Sequence, residues 1–203
     1  MDRLAELRAL IASDERRMQV LCAVRDLGLP DCWVAAGFVR NRVWDHLHRR
    51  ATSPLPQDID VIWFAPDACA ARRDADLEAA LRKRDDTLAW SVKNQARMHV
   101  RNGDAPYRSA LDAMRFWPET ATAVGVRLGP RGDIDVAAPF GLDDLFGLVV
   151  RPTRRFVAEK HGVYLERVRA KHWARHWPGL RIDITSMASD SPMAPVPMRN
   201  NGP

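Results

Sequence analysis

No stretch of the sequence reaches the roughly 18 consecutive apolar residues that a bilayer-spanning helix needs, so no membrane partner is expected. The N-terminus also lacks the apolar core of a signal peptide. Met1-Asp2-Arg3-Leu4-Ala5-Glu6 reads instead as the start of a mixed-charge helix. Cysteine is scarce: Cys22, Cys32 and Cys69 are odd in number, scattered, and never in a C-x-x-C pair. That excludes a disulfide scaffold and a cysteine zinc site, and it points to a reducing cytoplasm. His172 and His176 stand four apart, but no H-E-x-x-H arrangement surrounds them, which argues against a histidine metal site.

What the sequence does hold is a core. Its 203 residues are 46% hydrophobic, enough for one well-filled core or a core with a small lobe. Net charge is +5 but uneven: nine Lys or Arg against Glu159 and Glu166 make residues 151–181 +7, leaving −2 for the rest. A basic C-terminal third suits a polyanionic partner, a triphosphate or a nucleic acid, although a solvated helix face would read the same way.

Asp58-Ile59-Asp60-Val61, continuing into Ile62-Trp63-Phe64, is a strand pattern bounded by Pro54, Pro56 and Pro66. Alternation puts Asp58 and Asp60 on one face and Ile59 and Val61 on the other. Two residues of rise separate the carboxylate-bearing Cα atoms by roughly 6.5–7 Å, close enough to converge on one ion. Two such charges ~6 Å apart repel by about 3 kcal/mol at an effective dielectric near 20. A fold keeps that pair at a cost unless a cation offsets it, and all-oxygen ligands suit Mg²⁺ or Mn²⁺ better than zinc.

Helical spacing of Leu4, Leu7 and Ile11, then of Met18, Leu21 and Val24, predicts two N-terminal helices with Ser13 or Asp14 between them. Cys32–Ala36 predicts a short buried strand, and 38–49 a helix, with Gly37 at the junction. Such a junction aims unpaired N–H groups at an anion. Arg40 and Asn41 in its first turn either add phosphate donors or are exposed helix residues. A helix is expected over 74–84, a strand over 88–92, and then the polar cluster Lys93-Asn94-Gln95-Ala96-Arg97-Met98-His99. Lys93 and Arg97 are candidates for neutralising phosphate oxygens, with Arg40 behind them.

Further on, a helix over 109–117, a strand over 121–128 and an antiparallel strand over 133–138 are expected. The second strand repeats Asp-Ile-Asp-Val, and Asp135, flanked by Ile134 and Val136, is the candidate for a third carboxylate. Asp133 reads as a turn residue. A helix over 156–177 and a strand near 181–184 follow. The expected organisation is one domain over 1–185, helical over 1–30 and basic and helical over 151–181. A disordered tail is expected over 186–203, which holds four of the fourteen prolines.

Longer motifs carry a resemblance. They are Ala36-Gly37-Phe38-Val39-Arg40-Asn41 with Trp44-Asp45, Asp58-Ile59-Asp60-Val61, and Val92-Lys93-Asn94-Gln95-Ala96-Arg97-Met98-His99. Pro106-Tyr107, Pro118-Glu119-Thr120-Ala121-Thr122, Ala138-Pro139-Phe140-Gly141-Leu142-Asp143-Asp144-Leu145, Arg151-Pro152-Thr153, and Trp173 with Trp177-Pro178 extend them. Over roughly residues 15–181 the chain resembles the DNA polymerase beta-type nucleotidyltransferase superfamily. Within that superfamily it resembles a bacterial family of small nucleotidyltransferase-like proteins, formerly a domain of unknown function.

The resemblance implies an α/β (α+β) fold with a short mixed, mainly antiparallel sheet flanked by helices. It implies that Asp58 and Asp60 hold Mg²⁺ (or Mn²⁺), that Asp135 completes the site, and that Gly37 sits against a nucleoside triphosphate. The implied activity is transfer of a nucleoside monophosphate to an unknown acceptor. A catalytically silent nucleotide- or RNA-binding module of the same fold is the alternative. The superfamily usually places a second small residue where this chain has Phe38.

Overall fold

The computed structural model describes residues 2–185, and the tail expected over 186–203 lies outside the described residues. Two helices open the chain: α1 (Arg3–Ala12) and α2 (Glu15–Arg25). Asp14 caps the second by accepting from the Arg17 N–H, which satisfies one of the amides that a helix start leaves unpaired. Strand β1 (Trp33–Ala35), helix α3 (Gly37–Leu47), strand β2 (Asp58–Trp63), helix α4 (Ala71–Arg84) and strand β3 (Ala89–Asn94) follow. Short helices α5 (Met98–Asn102) and α6 (Ala110–Met114) lead to the hairpin of β4 (Gly125–Leu128) and β5 (Ile134–Ala137). The chain continues through α7 (Asp143–Phe146), β6 (Val149–Val150), α8 (Arg154–Val157), α9 (His161–Lys171), α10 (Trp173–His176) and β7 (Arg181–Ile182).

The main sheet has the order β3-β2-β1-β4-β5 and is antiparallel except for β2 and β3. That parallel pair requires a crossover, which α4 supplies. The mixed, mainly antiparallel sheet flanked by helices agrees with the expected fold class.

Alternation sorts the strands into two faces. Ile59, Val61 and Trp63 turn into the larger core with Val34, Val92 and Val126, in a cluster that reaches from Leu7 to Leu180. On the opposite face Trp33, Ala35, Ile62 and Ala137 pack with Ala110 and Met114 of α6. The C-terminal segment docks on α3 through aromatic contacts. The ring of Trp44 lies 5.9 Å from Trp173 and 5.1 Å from Trp177, both edge-on, the geometry that ring quadrupoles favour.

Three expected elements differ. The strand expected over 121–128 begins only at Gly125, because the Thr122 and Ala123 amides turn back to the Glu119 carbonyl. The helix expected over 156–177 is broken into three. Ala158 ends the first piece, and His172, at φ 48°, separates the second from the third. The breaks let Phe156, Tyr164, Trp173 and Trp177 all enter the core, which one straight helix could not do. Strand β3 runs two residues longer than its apolar pattern, so Lys93 and Asn94 belong to the sheet rather than to a loop.

Candidate active site

Asp58 and Asp60 occupy the start of β2 on the sheet face away from the larger core. The rung through Asp60 reads Ser91 on β3, Ala35 on β1, Gly125 on β4 and Ala137 on β5. Every neighbour along that rung is small, which leaves room above the carboxylate. A Cβ on Gly125 would meet Trp33 Cβ at 3.3 Å and Ala35 Cβ at 3.5 Å, so the rung is already close-packed at its centre.

Over this face lies a cleft of about 330 Å³. Asp60, Ser91 and Lys93 contribute from the sheet, Gln95 and Thr122 from the loops, and Phe156, Lys160 and Arg167 from the C-terminal segment. Burial pushes the Asp60 carboxyl up to about 6, the Asp58 charge adds to the rise, and Lys171, Arg167 and Arg40 oppose it. The cause is general: desolvation and a like charge both disfavour ionisation. A half-buried carboxylate held this way gains from any cation brought to it.

The approach to β2 is fixed by Arg17, which is fully buried in α2. Its guanidinium donates to the Phe38 carbonyl at 3.0 Å, to Ser53 O at 2.9 Å and to Pro54 O at 3.3 Å. Phe38 itself is fully buried in the larger core, which explains a bulky residue after Gly37. At the junction Ala36 takes φ 55° and ψ −120°, a strained conformation for an L residue costing about 1–3 kcal/mol. A Cβ on Gly37 would stand 3.3 Å from Pro56 Cβ and 3.6 Å from an Arg40 nitrogen, so glycine serves a close approach here. The Val39 and Arg40 amides turn back to the Ala36 carbonyl.

Arg40 is not an exposed helix residue. Only 7% exposed, its guanidinium lies between the rings of Trp44 (5.0 Å) and Trp173 (4.6 Å). It donates to Thr122 Oγ1 at 3.1 Å and to Asn41 Oδ1 at 3.0 Å, while its buried Nε has no acceptor among the described residues. Burial pulls this arginine down to about 10, offset chiefly by Glu119 and also by Asp60 and Asp58. Asn41 is thereby committed to Arg40 by its side-chain oxygen. Lys93 lines the cleft but already donates to Glu78 Oε1 at 2.6 Å.

Two expected site residues are not brought here. Arg97 pairs with the carboxylate of Asp74, which also accepts from Trp63 Nε1 at 2.8 Å and from the Asn94 amide at 3.1 Å. Trp63 belongs to the opposite face of the sheet, so Arg97 neutralises a buried carboxylate there instead of meeting phosphate. Asp135 accepts from Arg127 Nε at 2.9 Å, and the Arg127 guanidinium lies 4.3 Å from the Trp33 ring centroid. Its strand is three places from β2, roughly 14 Å across the sheet at ~4.8 Å per strand, and it sits on the next same-face rung from Asp60. The anticipated third carboxylate is therefore an ion-pair residue near the hairpin. Among the described residues no three Asp, Glu, His or Cys converge as a metal cluster.

Sequence reasoning missed Glu119, Lys160, Arg167 and Lys171 as individuals. Glu119 is fully buried and accepts from Arg167 Nε at 2.7 Å, and among the described residues its second oxygen has no partner. The surplus of charge over 151–181 pointed to this segment. Which cations reach Asp60 depended on where the helix broke.

This arrangement is that of a nucleotidyl-transfer fold, and the chain belongs to the nucleotidyltransferase family, whose pattern it matches over residues 22–182. A solution structure described as revealing a CCA-adding enzyme head domain is 37% identical, with a TM-score of 0.79 over 88% of this chain and 95% of that one. A CCA-adding enzyme solved with CTP gives a TM-score of 0.56 at 15% identity, over 88% of this chain and 43% of the enzyme. The Thermotoga maritima CCA-adding enzyme complexed with tRNA gives 0.55 at 15%, over 87% and 42%. The chain thus spans less than half the length of those two enzymes, and at that identity they share the fold alone. No curated protein matches the sequence. Among the described residues no helix is long and apolar enough to cross a membrane.

Proposed function

We propose that this protein is a divalent-metal-dependent nucleotidyltransferase that moves a nucleoside monophosphate from a nucleoside triphosphate to an acceptor hydroxyl. The observation that carries the reading is the Asp58–Asp60 pair, with the Asp60 carboxyl raised by burial in a cleft lined by Lys160 and Arg167. Charge and placement suffice, because phosphoryl chemistry asks little covalent work of a protein.

Asp58 and Asp60 fit Mg²⁺ or Mn²⁺: Mg²⁺ commonly takes one or two carboxylates and completes its shell with substrate phosphates and water. When bound, the ion supplies charge neutralisation at the phosphates and a lower pKa at the acceptor oxygen. The chain's own residues do the rest. Arg167 and Lys160 bind phosphate oxygens, with Lys93 to the side, and the Glu119 carboxylate holds Arg167 in place. Phe156 and the loop around Gln95 shelter the nucleotide from water. The acceptor oxygen forms a bond to the α-phosphorus as the bond to the β-phosphate bridge breaks. Pyrophosphate leaves, and the hydroxyl proton passes to water.

The CTP and tRNA bound by the CCA-adding neighbours support a nucleotide donor and a nucleic-acid partner for this chain. The basic segment over 151–181 is the surface such a partner would meet, in a cytoplasmic setting. Incorporation of label from α-³²P nucleoside triphosphates, with and without Mg²⁺, tests the reading across RNA and small-molecule acceptors. Label transfer that persists after Asp60→Ala would refute it. A second reading, a silent nucleotide-binding module, draws on the pairing of Asp135 with Arg127. Metal-dependent triphosphate binding without any turnover would favour that reading.

A further inference from the structure

A cleft of about 480 Å³ shares no lining residue with the active-site cleft. It opens between the start of α2, at Ser13 and Asp14, and the end of α3 with the loop that follows it. Arg42 and His46, four apart and so on one face of α3, line it together with Arg49 and Arg50. Three guanidinium groups thus share a cleft with one carboxylate, that of Asp14. This carboxylate is already committed. It caps α2 by accepting from the Arg17 amide at 3.0 Å, and it also accepts from the Arg17 guanidinium.

Arg42 is left 3.5 Å from Asp14, and its buried Nε has no hydrogen-bond partner among the described residues. A buried donor without an acceptor is costly, so this arginine gains from an anion brought to it. Arg49 adds an independent observation. Helix α3 closes with the Arg50 amide on the Asp45 carbonyl and the Arg49 amide on the His46 carbonyl, the Schellman arrangement. In that arrangement the residue at position 49 takes φ 53°, the left-handed region where glycine is favoured, yet this chain carries arginine there. The helix dipole favours a cation near the last turn. Arg50 already provides one, pairing with Asp45 at 3.5 Å, so the dipole does not account for a strained arginine beside it.

We propose that this cleft binds a compact phosphate anion, a short chain of linked phosphates, through the guanidinium groups of Arg42 and Arg49. Guanidinium forks match phosphate oxygens two at a time. Thr52, exposed in the same lining, adds a hydroxyl donor. The Ser13 and Ser53 hydroxyls do not, because they donate to the Leu10 carbonyl at 3.2 Å and to Asp45 Oδ2 at 2.8 Å. The cationic groups converge on one concavity instead of following a track, which favours a free polyphosphate over the backbone of a polynucleotide. The site is independent of the proposed nucleotidyl transfer.

An NMR titration of the whole ¹⁵N-labelled chain with inorganic tripolyphosphate tests this, in EDTA so that no divalent ion bridges the anion to Asp58 and Asp60. The Arg49 and Thr52 amides and the Arg42 Nε–H should shift saturably, at lower concentrations than Ser91 and Gln95 of the active-site cleft. Arg49→Gly removes the cation and suits the backbone. That variant should therefore melt at or above the parent Tm and bind tripolyphosphate about tenfold more weakly, the loss of one charge-assisted contact. Arg49→Lys should recover most of that affinity, and Lys160→Gln, in the active-site cleft, should lose none of it. Unchanged affinity in Arg49→Gly overturns the assignment, as does a response confined to Ser91 and Gln95. A hexaribonucleotide that binds at Arg42 and Arg49 more tightly than tripolyphosphate also overturns it and gives the surface to a polynucleotide.

Discussion

Arg167 donates to the fully buried Glu119 at 2.7 Å, and the same arginine lines the cleft that holds Asp60. One buried carboxylate thus holds a cation at the cleft and also offsets Arg40, and both guanidinium groups lie against the Trp173 ring. Glu119→Ala leaves two guanidinium groups without their counter-charge. A loss on the order of 2–4 kcal/mol is expected, below the upper end for a buried pair because Arg167 is partly exposed. Urea denaturation of the two proteins measures it, and an unchanged midpoint would show that Glu119 carries no such role.

Asp60 makes the ligand-free protein sensitive to pH. Its folded carboxyl stands at about 6, against an ordinary value of 3.8. A raised folded value means that this group's contribution is fully present below the unfolded pKa and is lost as pH rises through about 6. Above that pH the ionised pair costs stability, on the order of 1–3 kcal/mol. Asp60→Asn should therefore raise Tm at pH 8 and change it little at pH 4. Thermal melts across that range decide the matter, and addition of Mg²⁺ should stabilise the parent protein more than the variant at pH 8.

Under the proposed function Asp58 and Asp60 hold the ion and Asp135 does not. Asp60→Ala should lower nucleotidyl transfer by about 10³-fold, the several kcal/mol that a bound ion contributes. Asp135→Ala should leave the rate within about twofold and cost about 0–1 kcal/mol, as expected of a partly exposed ion pair. Steady-state rates on purified variants compare them. A large loss on removing Asp135 would return it to the site.

Arg97→Ala should act on the fold and leave the nucleotide alone. Asp74, nearly fully buried, would lose its cation while keeping its bonds from Trp63 Nε1 and Asn94 N. A destabilisation of about 3 kcal/mol follows from an uncompensated buried charge. The KM for triphosphate should not move. A raised KM with normal stability would restore Arg97 to phosphate binding.

Local pattern was enough for most of the scaffold. Period-two alternation at 58–63 put Asp58 and Asp60 on one face, and that holds whatever packs around them. The Asp14 cap and the Gly37 junction were equally local, since each depends on a few adjacent residues. Asp135 shows where local reading ends. Its Asp-Ile-Asp-Val repeat resembles that of β2, but β1 and β4 lie between the two strands. Arg97 shows the same limit, because its buried partner Asp74 lies twenty-three positions away in sequence.

By itself the sequence determined the element types, the face of each strand and the family, because these follow from neighbours in the chain and from long motifs. Only the tertiary structure decided which charges meet. Strand order and the breaks at Ala158 and His172 placed Arg167 and Lys160 in the cleft and left Asp135 with Arg127. Coulomb energies depend on distance and burial, and neither is encoded in the spacing of residues along a chain.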